Sequence, residues 1–379
     1  MSDRTERLLA SCKLGEFFVH ISMNGLTWLS TKAGAPCRVP AVWLRDNCGC
    51  LMCGRRDSGT RFSNLITDRA QHLIVEAAVS EGKVSLRWAD GHQTDYDLRW
   101  LLGPTLAVEM SPNPWKAGFV VRRITAHEGR LAADSFEALH LALQHAGVAI
   151  VEQVGGYDAT EAFANQLGYI RRTHFPLVTD LKPREAGSHI ADYPVAIAPH
   201  SDESYRESPI ELNLFHCIRP ADFGGETLLV DGLWCARELQ RTKPESHDYL
   251  TKTRIRHERL AAGQLLVSEK PALHYDTLGR LLCVRLNERT MSRVGLDCSN
   301  IVELYRHLEE LFKIAYSEQA RVVCRLRPGE VLVLDNRRVL HGRTEFAGER
   351  LLRQTNVAWD EFCARARLFR ERRLGLVCG

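Results

Sequence analysis

The sequence predicts a mainly β protein with flanking helices, built as a small β-rich module ahead of a larger β domain. Three features carry this expectation. Residues 17–102 alternate short apolar runs with turn signals, as in Leu73-Ile74-Val75 and in Val84-Ser85-Leu86-Arg87-Trp88 ahead of Asp90-Gly91. Strand-like runs recur later, at Val148-Ala149-Ile150-Val151, Ile210-Glu211-Leu212-Asn213-Leu214-Phe215 and Thr227-Leu228-Leu229-Val230. Between and after them lie segments with helical spacing.

Taken in order, residues 1–103 form the first module. Gly103-Pro104 and Pro112-Asn113-Pro114 interrupt the periodicity and mark 104–117 as a linker, so that 118–379 form the second domain. Helices are expected at 159–169, 233–241 and 300–316, packed outside a sheet. The last has Asn300 as N-cap, Glu303 three residues on, and Leu304, Leu308 and Leu311 on one face. Residues 322–326, the turn Pro328-Gly329 and Val331-Leu332-Val333-Leu334 read as a late hairpin delivering Asp335-Asn336 to a strand end.

With 379 residues, 45% of them hydrophobic, the chain can bury a sizeable core, and a net charge of +3 is too mild for a nucleic-acid-binding face. No apolar run approaches the roughly 18–20 residues of a membrane span. The start, Met1-Ser2-Asp3-Arg4, is polar rather than a leader. These features point to a cytoplasmic protein with a small-molecule partner. The twelve cysteines are not spaced as a disulfide framework.

Two imidazoles and a carboxylate on one face of an ion make a non-haem iron centre, with the remaining positions open. His-x-acid, which supplies two such ligands, is a weak signal, because a chain with 15 histidines and 47 acidic residues should show on the order of two by chance. This chain has three. His307-Leu308-Glu309 falls in an expected helix, where residues two apart face different sides. His274-Tyr275-Asp276 runs into the turn-like Thr277-Leu278-Gly279. His200-Ser201-Asp202 follows Pro199, which favours extended backbone, and precedes a strand and Gly224-Gly225-Glu226-Thr227. A third ligand, His341, sits in Asp335-Asn336-Arg337-Arg338-Val339-Leu340-His341-Gly342-Arg343, with Arg353 following.

Trp43-Leu44-Arg45-Asp46-Asn47-Cys48-Gly49-Cys50-Leu51-Met52-Cys53 puts three thiols too close together for ordinary disulfides but at a spacing suited to three corners of a zinc tetrahedron. His92, after the strand and turn Trp88-Ala89-Asp90-Gly91, is a candidate fourth ligand in a closed, structural site. A redox cluster and three free thiols are the other readings.

His200-Ser201-Asp202, Gly224-Gly225-Glu226-Thr227, Asp335-Asn336 and His341-Gly342-Arg343 through Arg353 resemble the 2-oxoglutarate-dependent oxygenases of the taurine dioxygenase type. The Cys48–Cys53 segment, with residues 88–101, resembles the N-terminal zinc domain of the γ-butyrobetaine and trimethyllysine dioxygenases, so the similarity covers nearly the whole chain. The resemblance implies a double-stranded β-helix (jelly-roll) oxygenase domain behind a small zinc domain, in a homodimer. It implies Fe(II) on His200, Asp202 and His341, structural Zn(II) on Cys48, Cys50, Cys53 and His92, and 2-oxoglutarate and O₂ as co-substrates. The far carboxylate of 2-oxoglutarate would pair with Arg353, with help from Thr227; Arg350 is a rival anchor and Arg343 a weaker one.

The relatives hydroxylate molecules with a trimethylammonium head, held by aromatic faces, and an anionic tail. At matching positions Phe175 and Trp359 keep aromatic character, while Thr179 and Asp192 replace a tryptophan and a tyrosine. Asn287 matches a carboxylate-binding residue and His189 replaces a second asparagine, with Arg289 and Arg206 near in sequence. Tyr193 and Tyr205 fit cage or core equally. The added positive character favours the branch resembling 2-(trimethylamino)ethylphosphonate dioxygenase, which hydroxylates the carbon next to phosphorus; γ-butyrobetaine, giving carnitine, is the alternative substrate. A relative without activity, kept as a metal-stabilised binding protein, is the alternative of another class.

Overall fold

The computed structural model describes residues 8–14, 17–30, 37–50, 52–53, 72–80, 82–98, 101, 112–185, 187, 189–292 and 298–373. They fall into two compact units, Met1–Glu109 with Glu371–Gly379, and Met110–Arg370. Most of the expected linker, up to residue 111, lies outside the described residues.

In the first unit, strands β1 (Leu8–Leu14), β2 (Phe17–Ser22), β3 (Gly25–Ser30) and β4 (Cys37–Pro40) form an antiparallel sheet in chain order, followed by helix α1 (Ala41–Asp46). A second antiparallel sheet holds β5 (Ile74–Ser80), β6 (Lys83–Trp88) and β7 (Gln93–Asp97). Val84, Leu86 and Trp88 alternate inward along β6, as a period of two dictates, and meet Val19, Ile21, Leu26, Leu44 and Tyr96 in one core. The Tyr96 hydroxyl donates to the Leu44 carbonyl and so ties α1 to β7. The Asp90-Gly91 turn closes with Gly91 N on Trp88 O and Trp88 N on His92 O, both at 2.9 Å, with Gly91 at φ +84°. The chain leaving α1 therefore arrives beside His92.

The second unit is a double-stranded β-helix of two facing sheets. Its strands are β8 (Arg123–Thr125), β9 (Val148–Glu152), β10 (Thr179–Leu181), β11 (Ile197–His200), β12 (Leu212–Arg219), β13 (Phe223–Gly224), β14 (Thr227–Asp231), β15 (Arg254–Ala261), β16 (Gln264–Pro271), β17 (Leu273–Tyr275), β18 (Leu281–Val284), β19 (Arg321–Cys324), β20 (Val331–Asp335), β21 (Val339–Arg343), β22 (Phe346–Ala347) and β23 (Leu351–Val357). One sheet runs β10-β23-β12-β20-β9-β8, antiparallel except for β8 with β9; the other runs β11-β21-β14-β19. Val148, Ile150, Phe215, Leu229, Leu332, Leu334 and Leu352 fill the space between them.

Helices cover the outer faces. The six-stranded sheet turns Ala149, Val151, Leu212, Leu214 and Val333 outward against α2 (Ala133–Ala146), α3 (Ala159–Leu167) and α7 (Trp359–Arg373). Val230 and Leu340 of the other sheet lie under α4 (Gly232–Thr242), α5 (Pro244–Lys252) and α6 (Cys298–Ala315). With both faces covered, these strands read as continuous apolar runs rather than alternating ones.

Two expectations need correction. The late hairpin does not form: β19 pairs with β14, whereas β20 pairs with β12 and β9 in the opposite sheet. The Pro328-Gly329 turn carries the chain across the sandwich instead, because Val322 and Leu326 on one side and Leu332 and Leu334 on the other all bury into the single layer between the sheets. Helix α6 begins at Cys298, so Asn300 lies within its first turn and is not the cap. The β15–β16 and β17–β18 hairpins, not anticipated, follow α5 and bring Arg259 and Val284 into the unit.

Candidate active site

His200 ends β11 and His341 sits directly opposite it on the antiparallel neighbour β21. This pairing demands close backbones. A Cβ on Gly342 would stand 2.3 Å from the Ile197 carbonyl, so only glycine lets the two strands meet there. The His200 Nε2 lies 3.2 Å from Asp202 Oδ1, and the His341 Nε2 3.3 Å from Asp202 Oδ2. Those separations approach the about 3 Å edges of three adjacent positions around a six-coordinate ion bound at about 2.1 Å.

The surroundings fit such an ion. His200 Nδ1 donates to the Ala198 carbonyl at 2.9 Å, which leaves its Nε2 lone pair for a metal. His341 Nδ1 is buried with no hydrogen-bond partner. Burial pushes the Asp202 carboxyl up, but the adjoining His341 and His200 imidazoles outweigh it and hold the group well below its usual range. Burial, first of all, pushes the His200 imidazole down. Asn213 Nδ2 and Gln354 Nε2 donate to Asp202 Oδ2 at 2.7 and 3.0 Å and fix its rotamer. Asn336 Oδ1 accepts from Asp202 N at 2.7 Å, while its amide donates to the Asp202 and Ile210 carbonyls. Asn336 was legible as part of Asp335-Asn336. Asn213 and Gln354 were missed, although an asparagine in the apolar run of β12, wholly buried, is itself a signal.

The other two His-x-acid sequences do other work. His307 is buried in α6 against Ser246, and Asp276 caps a turn by accepting from Leu278 N and Arg280 N.

A cavity of about 550 Å³ opens beside His200, Asp202 and His341. Thr227, on β14 opposite Arg343, lines it one inward row from His341, about 7 Å along the strands. Arg353 does not line it. Leu352, Gln354, Thr355 and Asn356 of β23 line the cavity, whereas the Arg353 guanidinium bonds the Tyr157 carbonyl, Thr160 Oγ1 and Asp180 and stacks 3.7 Å over the Tyr157 ring. Of the other two anchor candidates, Arg343 lines it, and so does Arg350. Arg350 is 6% exposed, lies 5.3 Å over the Phe346 ring, and has no carboxylate partner among the described residues; burial pushes it down to about 10, so it stays charged at neutral pH. Gly225, at φ +72°, packs beside it, and a Cβ there would crowd Ala221 Cβ at 3.0 Å and Phe346 Cβ at 3.3 Å. Arg343 spends its N–H groups on the carbonyls of Ile190, Ala191, Tyr193 and Val195, and so anchors the loop that carries Asp192.

Of the substrate candidates, Phe175, His189, Asp192, Tyr205, Asn287 and Arg289 line the cavity, as does Thr179. Tyr193 and Trp359 do not. The Tyr193 hydroxyl turns to the Gly187 carbonyl, and the Trp359 ring lies under the Arg337 guanidinium at 4.6 Å. Sequence reasoning missed Arg259, which reaches the cavity from β15.

In the first unit, the Sγ atoms of Cys48, Cys50 and Cys53 lie 3.3, 3.6 and 3.7 Å from His92 Nε2. A zinc tetrahedron with bonds of about 2.3 Å to sulfur and 2.0 Å to nitrogen has S···N edges of about 3.5 Å, so these residues could hold the ion. Around them, Arg45 donates to Cys53 Sγ at 3.2 Å and to Asp90 at 3.1 Å, and Asp90 accepts from His92 N at 2.9 Å. Cys50→Ser is expected to lower the zinc content of the purified chain from about one ion to near zero, and to lower its melting temperature, by elemental analysis and calorimetry.

A jelly roll that holds two histidines and an aspartate on one side of a cavity, with a buried arginine also lining it, defines a 2-oxoglutarate-dependent iron oxygenase. Similarity to known proteins gives the same class and makes it specific. Residues 112–356 match the taurine catabolism dioxygenase TauD, TfdA family, and residues 26–102 match the gamma-butyrobetaine hydroxylase-like N-terminal family. The chain belongs to the TauD/TfdA family of Fe(II)- and 2-oxoglutarate-dependent dioxygenases. It is 28% identical to the trimethyllysine dioxygenase of Meyerozyma guilliermondii over 88% of this chain and 91% of that one. It is 24% identical to human gamma-butyrobetaine dioxygenase over the same shares. The solved structure of AAD-2 with Mn(II) and N-oxalylglycine shares the fold, with a TM-score of 0.51 at 15% identity over 65% of this chain and 97% of that one. No helix among the described residues is long and apolar enough to cross a membrane.

Proposed function

We propose that this dioxygenase hydroxylates a small quaternary-ammonium compound with an anionic tail, and that the tail is a phosphonate, as in 2-(trimethylamino)ethylphosphonate, attacked at the carbon next to phosphorus. The observation that carries the reading is the charge distribution of one cavity. Asp192, a buried carboxylate with only the exposed Arg184 at 3.5 Å as ion partner, and the basic or amide groups His189, Asn287 and Arg289 line the same chamber as the triad. A zwitterion satisfies both signs at once. The relatives named above, trimethyllysine and gamma-butyrobetaine dioxygenases, support the cationic half.

In this reading His200, Asp202 and His341 hold Fe(II), and Arg350 with Thr227 holds the far carboxylate of 2-oxoglutarate. The iron and its co-substrate supply the coupling of O₂ reduction and decarboxylation to succinate with substrate hydroxylation. The chain positions the rest. Gln354 and Asn213 keep the Asp202 carboxylate in one orientation, and Asn287, with Nδ2 on the Ser201 carbonyl at 3.1 Å and Oδ1 unpaired, fixes a polar contact two residues before Arg289. Hydroxylation beside phosphorus requires the anion to lie near the iron, and Arg289 is near enough for its charge to bear on His200.

Succinate formation across a panel of quaternary-ammonium phosphonates and carboxylates tests this. The phosphonate is expected to give the highest kcat/KM. Faster turnover of γ-butyrobetaine or trimethyllysine would overturn the choice of tail, and no succinate above the substrate-free rate with any member would overturn the substrate class.

A further inference from the structure

Arg259 lies on β15, where its alternation with Glu258 and Leu260 gave no sign of a role. Its guanidinium carbon lies 5.7 Å from the Phe175 ring centre and 5.9 Å from that of Tyr205. Its Nη2 donates to His189 Nδ1 at 2.8 Å, and its Nε is buried without a partner. Burial and the Arg259 charge push the His189 imidazole down, so the ring is neutral and accepts. Among the described residues no carboxylate lies within ion-pair distance of Arg259. Its neighbours differ: Arg206 pairs with Glu203, and Arg184 with Asp192 at 3.5 Å.

A guanidinium that lines a cavity, braced by two ring faces and a neutral imidazole and lacking a counter-charge, is built to receive an anion. The same two rings cannot also cage a trimethylammonium, because two cations in one small aromatic box repel. We infer that Arg259 reads the anionic tail of the substrate, and that Phe175 and Tyr205 serve this guanidinium rather than the substrate's cationic head. The inference rests on the zwitterionic substrate proposed above and makes Arg259 the residue that favours a dianionic tail over a monocarboxylate, since a forked donor beside a second donor matches several anionic oxygens.

The test uses the full chain loaded with Fe(II) and saturating 2-oxoglutarate without O₂, and reads binding of methylphosphonate, acetate and tetramethylammonium by calorimetry. Arg259→Gln is expected to weaken methylphosphonate roughly 10- to 100-fold, the loss of a charge-assisted contact. Acetate should weaken less, and Arg259→Lys should recover part of the methylphosphonate affinity. Affinity for 2-oxoglutarate should stay unchanged, which also shows that the variant is folded. In the Arg259-containing Phe175→Leu chain, tetramethylammonium should bind as to the parent. Unchanged methylphosphonate affinity in Arg259→Gln, or loss of tetramethylammonium binding in Phe175→Leu, overturns the inference. These probes read Arg259 even if no panel compound is turned over, so failure of the proposed substrate is seen separately.

Discussion

Arg350→Met is expected to raise the KM for 2-oxoglutarate roughly 10²- to 10³-fold, whereas Arg353→Met leaves it within about twofold. The first variant removes a buried guanidinium that has no protein carboxylate to satisfy it, so its hydrogen-bonding capacity is available to the co-substrate; losing a bidentate charged contact of this kind costs about 3–4 kcal/mol. Methionine keeps the apolar stem against Phe346 and Gly225, which limits the damage to packing. Arg353 is different in kind. Its partners, Asp180, the Tyr157 carbonyl and Thr160 Oγ1, join β23 to β10 and to the start of α3. Its removal should appear as a lower melting temperature, by about 1 kcal/mol of stability, with KM intact. Measuring KM and melting temperature for both variants decides the assignment: a large KM effect in Arg353→Met and none in Arg350→Met would restore the anchor expected from the sequence.

Asp202→Asn is expected to lower kcat/KM on the order of 10³-fold and to abolish the visible band that Fe(II) with 2-oxoglutarate gives without O₂. The carboxylate sits between two imidazoles and accepts from Asn213 and Gln354. An amide there keeps the size but loses the charge that offsets the ion, and its NH₂ would face two donors. Loss of one partner in a buried charged set costs about 3–5 kcal/mol, which corresponds to roughly 10²- to 10³-fold or more in rate. Survival of the band in the variant, checked by anaerobic absorbance, would remove Asp202 from the metal.

The legibility of the sequence differed by element. The triad was readable because its ligands are chemically distinctive and because Pro199 and the apolar runs on β12, β14 and β21 placed them on extended chain. The cysteine cluster was readable because Cys48, Cys50 and Cys53 are adjacent, and the turn at Asp90-Gly91 announced where His92 would return. The proposed co-substrate anchor, Arg350, was not. Arg353 lies on β23 and Arg350 just before it, and which face of β23 turns inward is set by pairing with β12, where Phe215 meets Gln354 and His216 meets Arg353. No local pattern fixes that register when both faces of a strand are covered. For the same reason the apolar stretches on either side of Pro328-Gly329 looked like a hairpin, though they belong to opposite sheets. Trp359 was placed by correspondence of position and Tyr193 was left between cage and core; neither lines the cavity. Arg259 was invisible because its partners, Phe175, His189 and Tyr205, lie on remote segments.

The direct opposition of His200 and His341 across β11 and β21 has a thermodynamic consequence. These ligands come from distant parts of the chain and converge only when both strands are paired, so the unfolded ensemble offers an ion no comparable site. Ion binding is therefore linked to folding: at a free metal concentration a thousand times the dissociation constant the folded state gains about 4 kcal/mol, a large part of the margin of an ordinary domain. The working lifetime of this enzyme should then follow the supply of its metal, with the strand pair that performs the chemistry also acting as the clasp that the ion fastens.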